Sequence, residues 1–189
     1  MARERPAIPK GIRERVLREF NHRCAFCGRD RPQLHHIDEN PANNEPLNLV
    51  PLCPSDHLTD EHDPTRRVDP AILRLFRQYR DPAILKPQFV PLFDRLRFLY
   101  VIGPETPIDT LPAAVDDLLR FVQVLHMGAY FAAKIGELLR DLSVGWMAVN
   151  ASNEREESGI YQMYREMLQR NAPAVEKLVV ELLRFQTWP

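Results

Sequence analysis

The sequence is short of glycine, with 7 in 189 residues, and rich in proline, with 17. Scarce glycine argues against glycine-rich nucleotide-binding loops, and abundant proline predicts punctuated helices and rigid connectors. Cysteine is also scarce: three residues, an odd number, argue against a secreted disulfide framework and fit a reducing cytoplasm. Neither charge sign dominates. A formal net charge of −1 excludes a wholly basic nucleic-acid coat and an acidic disordered tail protein. Long apolar runs are missing too. The start, Met-Ala-Arg-Glu-Arg-Pro, lacks the apolar stretch of a signal peptide. The most apolar long window, Phe121 to Leu139, contains Gln123, His126, Lys134 and Glu137, a set that a bilayer span does not accept cheaply. The expectation is a soluble cytoplasmic protein with no membrane partner, built as one domain or two small ones.

What is present is concentrated. All three cysteines (Cys24, Cys27, Cys53) and five of six histidines (His22, His35, His36, His57, His62) fall within residues 22–62. Charge is blocked out as well. Residues 1–31 hold nine Lys/Arg against four acids, and residues 64–100 eight against three. Residues 32–63 between them hold seven acids and no Lys/Arg, and residues 101–189 hold eight Lys/Arg against twelve acids. Basic blocks suit a phosphate backbone, and an acidic, histidine-rich centre suits a metal.

Periodicity places these residues on elements. Ile12, Val16, Leu17 and Phe20 predict a helix opening at Pro9-Lys10, with Arg13, Arg15 and Arg18 on its other face. Cys24-Ala-Phe-Cys27-Gly28 reads as a metal knuckle. Gln33 to Ile37 and Leu49 to Leu52 read as short strands joined by a polar Asn/Pro loop, in which Asp38, Asn40, Asn43 and Asn44 fit ordinary turn chemistry. Ser55 or Asp56 could cap a short helix through His62. Further helices are predicted over Pro70 to Tyr79 and around Leu92 to Tyr100. A long run from Ala113 to about Val149 follows, then a second from Ile160 to Phe185, with Pro173 marking a kink or restart. Two such runs joined by a polar turn predict an antiparallel helical hairpin. The chain thus divides into residues 1–66, a metal-stapled module; 67–110, a basic, proline-punctuated connector; and 111–189, the hairpin, a region for dimerisation or partner binding.

Tetrahedral zinc needs four ligands. Cys24 and Cys27 supply two, and Cys53 a third. Three positions beyond Cys53, where a second knuckle would place the fourth, stands Asp56; His22 is the alternative. His35 and His36 are adjacent on a strand, so their side chains point to opposite faces. His57 is the stronger further ligand, with His62 and Glu61 competing for the next place. A divalent ion on two or three side chains keeps open positions for a phosphate oxygen. A neutral histidine beside it can take a proton from an attacking water.

Cys24-Ala-Phe-Cys27-Gly28, Leu34-His35-His36-Ile37, Asn48-Leu49-Val50-Pro51-Leu52-Cys53 and then His57 together resemble the signature of the HNH endonucleases. The resemblance covers about residues 8–63. It implies an α+β fold, a small zinc-braced ββα-metal domain, here followed by an all-α region with the long hairpin. It implies a metal-dependent DNA endonuclease hydrolysing phosphodiester bonds. His36 would be the general base, Asn48 the brace of the loop between the strands, and His35 and His57, with His62 as a further candidate, the ligands of a catalytic Mg²⁺, Mn²⁺ or other transition metal. Cys24, Cys27, Cys53 and Asp56 would hold a structural Zn²⁺. HNH domains attached to helical regions often resemble effectors of phage defence or nucleases of mobile elements. The partner is DNA, with RNA also open, gripped by Arg13, Arg15, Arg18, Arg23, Arg29 and Arg31. The C-terminal helices are expected to form a homodimer or a hetero-complex. The competing reading is a non-catalytic zinc module that binds nucleic acid or protein.

Overall fold

A computed structural model describes residues 6–57, 68–140 and 150–187. The fold is mixed α+β and mostly helical, with one small two-stranded sheet among the described residues. The chain divides into two compact units, residues 1–85 and 86–189. The expected connector, residues 67–110, is therefore shared between them.

The first unit opens with α1 (Lys10–Glu19), which buries Val16 and Leu17 and carries its arginines outward. The chain then makes the cysteine knuckle and enters β1 (Gln33–His36). After the polar loop, a 3-10 turn (Pro46–Asn48) leads into β2 (Leu49–Leu52), which pairs antiparallel with β1 and opposes His35 to Val50 and His36 to Leu49. All four residues of β2 are buried. Pro51 is tolerated there because in a two-stranded sheet each strand has a free edge. A helical turn over residues 54–57 follows. Of the two expected caps, Asp56 turns its carboxylate to the cysteines instead, and Ser55 Oγ lies near Arg29. His62 and Glu61 lie outside the described residues.

α2 (Pro70–Tyr79) covers this core with Ile72, Leu73, Leu75 and Phe76. It begins where sequence rules place it: Pro70 fills the first turn and the Asp69 side chain accepts from Ala71 N at 2.8 Å. It ends on Arg80 in the left-handed region, at φ 52°.

The second unit holds α3 (Val90–Leu96), α4 (Phe98–Val101), α5 (Thr110–Gln123), α6 (Gly128–Leu139) and α7 (Glu154–Arg184). The single helix expected around Leu92 to Tyr100 is two short ones. The described part of the run expected as one long helix from Ala113 is also two helices. The break at 124–127 has identifiable causes. Met127 sits at φ 61°, and Gly128 packs so tightly that a Cβ there would stand 2.0 Å from the Val122 carbonyl oxygen. Gln186, beyond the end of α7, holds the turn's backbone by accepting from His126 N at 3.1 Å and donating to His126 O at 3.0 Å. α6 packs against both α5 and α7.

α7 starts six residues before the predicted Ile160, because Asn153 caps its first turn and Glu156 reaches back to the backbone just before that cap. Asn153 Oδ1 accepts from Glu156 N at 3.0 Å, and Glu156 Oε2 accepts from Ser152 N at 2.8 Å. The helix then continues through Pro173 with no restart. Among the described residues, no helix is long and apolar enough to cross a membrane.

Candidate functional site

Two groups of side chains lie in the first unit. The first is built by the knuckle. An isolated bridge between Arg23 and Asp30 closes its base, Cys24 N donates to Arg29 O at 2.8 Å, and Gly28 N donates to Cys24 O at 3.0 Å. Gly28 stands at φ 70°, a conformation that strains most L side chains. Ala25 N donates to Pro51 O at 2.8 Å, which ties the knuckle to β2 just before Cys53. The turn after β2, with His57 N donating to Cys53 O at 2.8 Å, swings Asp56 back over the thiols.

The result is a cluster in which ligand atoms of Cys24, Cys27, Cys53 and Asp56 all lie within 4.8 Å of one another. The Cys24 and Cys53 thiols donate to Asp56 Oδ2 at 2.9 and 3.2 Å, and Cys27 Sγ stands 3.6 Å from Cys53 Sγ. No disulfide links them. Zinc–sulfur bonds of ~2.3 Å in a tetrahedron separate two sulfurs by ~3.8 Å, so this spacing fits a shared cation. Three thiols and a carboxylate are a donor set that favours zinc or a similar soft-to-borderline ion over magnesium or calcium.

Desolvation in the cluster and donation to Asp56 push the Cys24 thiol up and the Cys27 thiol to about 12. Burial alone would raise Asp56, but hydrogen bonds from the three thiols and the nearby Arg29 charge hold its carboxyl below the usual range. His22, the alternative fourth ligand, is exposed and does not belong to the cluster.

The second group lies on the sheet and its connection. His35 is buried and its ring meets that of His57 edge-on, with centroids 5.2 Å apart. The two imidazoles come from β1 and from the turn after β2. No third His, Cys, Asp or Glu among the described residues joins them in a ligand cluster. His36, half-buried, has Nε2 3.1 Å from Asn44 Oδ1. An amide oxygen only accepts, so in this bond Nε2 is the donor, and Nδ1 is the ring nitrogen that faces away from Asn44.

Asn48 is buried and stitches the loop from within. Its Oδ1 accepts from Asp38 N at 3.1 Å, and its Nδ2 donates to Asp38 Oδ1 at 2.8 Å and to Asn43 O at 2.9 Å. Asp38 also accepts from Asn43 Nδ2 at 2.6 Å and from Asn40 N at 2.9 Å. Desolvation would raise the Asp38 carboxyl, but these donors and the neighbouring His36 hold it below its ordinary range. Asn40 and Asn43 accept from the backbone two residues on, as turn residues do. Asn44 is the member of this loop that reaches a histidine.

The six arginines of the expected DNA grip are all exposed. Arg15 pairs with Glu19 at 3.3 Å and Arg18 donates to Glu14 O at 3.3 Å. Arg23 braces the knuckle through Gly28 O at 3.1 Å, and Arg29 lies 3.5 Å from Ser55 Oγ. Exposed pairs of this kind contribute ~0–1 kcal/mol, so they are easily traded for a phosphate.

Sequence reading gave no role to Arg77. Its side chain is 2% exposed. Nε donates to Leu49 O at 2.8 Å and Pro46 O at 3.1 Å, Nη2 donates to Glu19 Oε2 at 2.6 Å, and the guanidinium stands 5.3 Å from the Phe20 ring centroid. One side chain thus joins α1, α2 and the backbone on both sides of Asn48. The available signal was its place on the apolar stripe, four residues after Leu73.

Comparison with known protein families, with characterised proteins and with solved structures gives no match.

Proposed function

We propose that this chain is a metal-dependent DNA endonuclease of the HNH type, with residues 8–63 as a ββα-metal domain and zinc at Cys24, Cys27, Cys53 and Asp56. The observation that carries the reading is the pairing of the His35 and His57 rings, 5.2 Å apart, in a place separate from the thiol cluster. A structural role alone needs one metal-type group; this unit has a four-ligand cluster and a second, histidine pair. A divalent cation held there would bind a phosphate oxygen and stabilise the charge of the pentavalent transition state.

The residues divide the remaining work. His36 Nδ1 takes the proton of the attacking water, and Asn44 holds the ring through Nε2. Asn48 keeps the loop rigid, so the base stays aimed. Exposed arginines on α1 and the knuckle receive the backbone. The C-terminal region, with α6 and α7 as the arms of its helical hairpin, serves as a dimer or partner surface; exposed Val124, Met127, Tyr130 and Phe185 support this.

The test is cleavage of supercoiled plasmid with Mg²⁺ or Mn²⁺ by purified protein. Wild type should nick or cut, and a folded His36→Ala protein should not. Equal cleavage by His36→Ala would sink the mechanism.

One observation favours a second reading, a zinc module that binds nucleic acid or protein without cutting it: among the described residues the histidine pair gains no third ligand. One zinc per chain, no further divalent-metal binding and no cleavage would support that reading.

A further inference from the structure

A cleft of about 320 Å³ opens between the β1–β2 connection and α2. The connection lines it with Asp38, Asn43, Glu45 and Leu47, and α2 with Arg74 and Gln78. Arg77 sets this geometry. Its bonds to Pro46 O and Leu49 O turn one face of α2 into the core. That leaves Arg74 and Gln78, four residues apart and neighbours on one helical face, exposed toward the loop that positions His36.

The two walls differ in charge. The loop side carries the Glu45 and Asp38 carboxylates, and Asp38 is already engaged by Asn40, Asn43 and Asn48. This side repels a phosphate and offers the Glu45 carboxylate as an acceptor. The helix side carries the guanidinium of Arg74. Leu47, 63% exposed, adds an apolar surface. The volume lies at the small end of ligand sites, which run ~300–1,000 Å³. Arg74 for an anionic group, Gln78 beside it for the edge of a polar ring, exposed Leu47 for the ring's apolar surface and room for one such unit describe a nucleotide.

We propose that this cleft is a nucleotide subsite of the DNA substrate, with Arg74 on a backbone phosphate and Gln78 on the edge of the adjoining base. The proposal rests on the nuclease reading and extends it beyond residues 8–63, where the family resemblance assigns nothing.

The test uses the full chain with His36→Ala, so that binding is read without cleavage. Anisotropy of a fluorescent DNA duplex is followed as salt is raised. One neutralised phosphate gives a salt slope of ~0.9, hence about an eightfold change in affinity between 0.1 and 1 M salt. Arg74→Ala should therefore weaken binding about eightfold at 0.1 M salt and lower the slope by about 0.9, with the melting temperature unchanged. Gln78→Ala in the catalytically intact chain should leave the slope alone and alter which bases flank the cut ends. Unchanged affinity and slope in Arg74→Ala would overturn the subsite, as would no DNA binding at all, and tighter binding of RNA would overturn the DNA assignment. A wild type that fails to cut while Arg74→Ala still weakens binding would refute the catalytic reading and keep the subsite.

Discussion

Arg77→Ala should destabilise the first unit far more than an arginine substitution on a helix normally does. The structure supplies the magnitude. The substitution removes an ion pair to Glu19, which is 22% exposed, and two hydrogen bonds to carbonyls, from a side chain only 2% exposed. It leaves a carboxylate and two carbonyl oxygens with reduced access to water. Breaking a buried pair costs ~3–5 kcal/mol, against ~0–1 kcal/mol for an exposed one. Domains are stable by only ~5–15 kcal/mol, and each kcal/mol moves the melting temperature of a unit this size by roughly 4–8 °C. The melting temperature should therefore fall by more than ~12 °C. Arg77→Lys should fall between, because a point donor cannot serve Glu19 and both carbonyls with a planar fork.

Hydrogen-exchange mass spectrometry is the suitable assay. Peptides from residues 1–85 should exchange faster, while peptides from residues 86–189 should not respond. An acid arm sharpens the test. Burial would raise the Glu19 carboxyl, but its hydrogen bond and charge partner Arg77 hold it below its ordinary 4.5. Its contribution is present above pH 4.5 and is lost as pH falls through the lower folded value. In Arg77→Ala that acid-side loss should shrink. A loss of stability under ~1 kcal/mol, or an equal loss in both units, would refute the reasoning.

Other consequences can be checked alongside. Purified protein should carry one zinc per chain by elemental analysis, and Cys53→Ser should lose it. Zinc at a thousandfold its dissociation constant should add ~4 kcal/mol to unfolding of the first unit, and a chelator should reverse this. Glu176 is buried on α7, and burial raises its carboxyl despite a hydrogen bond with Tyr100. Stability from this group is full below pH 4.5 and is lost as pH rises through the folded value, so Glu176→Gln should match wild type in acid and exceed it at pH 8 in thermal melts. Gly128→Ala should cost the second unit ~3 kcal/mol or more, read from circular dichroism in urea, since the new methyl has only the backbone at the end of α5 to meet.

The parts of the fold written in short-range chemistry were legible in the sequence. α2 begins and ends where Pro70 and the apolar stripe place it, and β2 spans Leu49–Leu52 as read. The early start of α7 was also written there: Asn153 is an N-cap residue with a glutamate three positions on, the spacing of a helix start inside a segment that is otherwise simply polar. The break between α5 and α6 was not legible in the same way. An apolar period of three or four continues across it. The turn is held by Gln186, 60 residues away, and needs glycine only because of how closely two helices approach. At the site, the four-ligand cluster follows from spacing, because knuckles are local. The partners of His36 and Asn48 needed the loop's actual path.

Arg77 shows why the two groups in the first unit act as one device. The thiol cluster fixes the chain at the knuckle and just beyond β2, but nothing in it reaches the far end of that strand, where Asn48 lies. Arg77 supplies that second anchor through Pro46 O and Leu49 O. With both ends of β2 held, His35 and His57 meet across it, and the loop carrying Asn44 has a fixed base. A sheet of two four-residue strands cannot do this with its own hydrogen bonds, since an isolated hairpin is marginal in water. Removing either anchor should therefore disorder the histidine pair without touching it. In Arg77→Ala the cysteine cluster should still bind zinc, because its ligands sit on the knuckle and the turn after β2, while cleavage falls further than the folded fraction accounts for. If cleavage instead follows the folded fraction, the loop is rigid without Arg77 and the two-anchor argument fails.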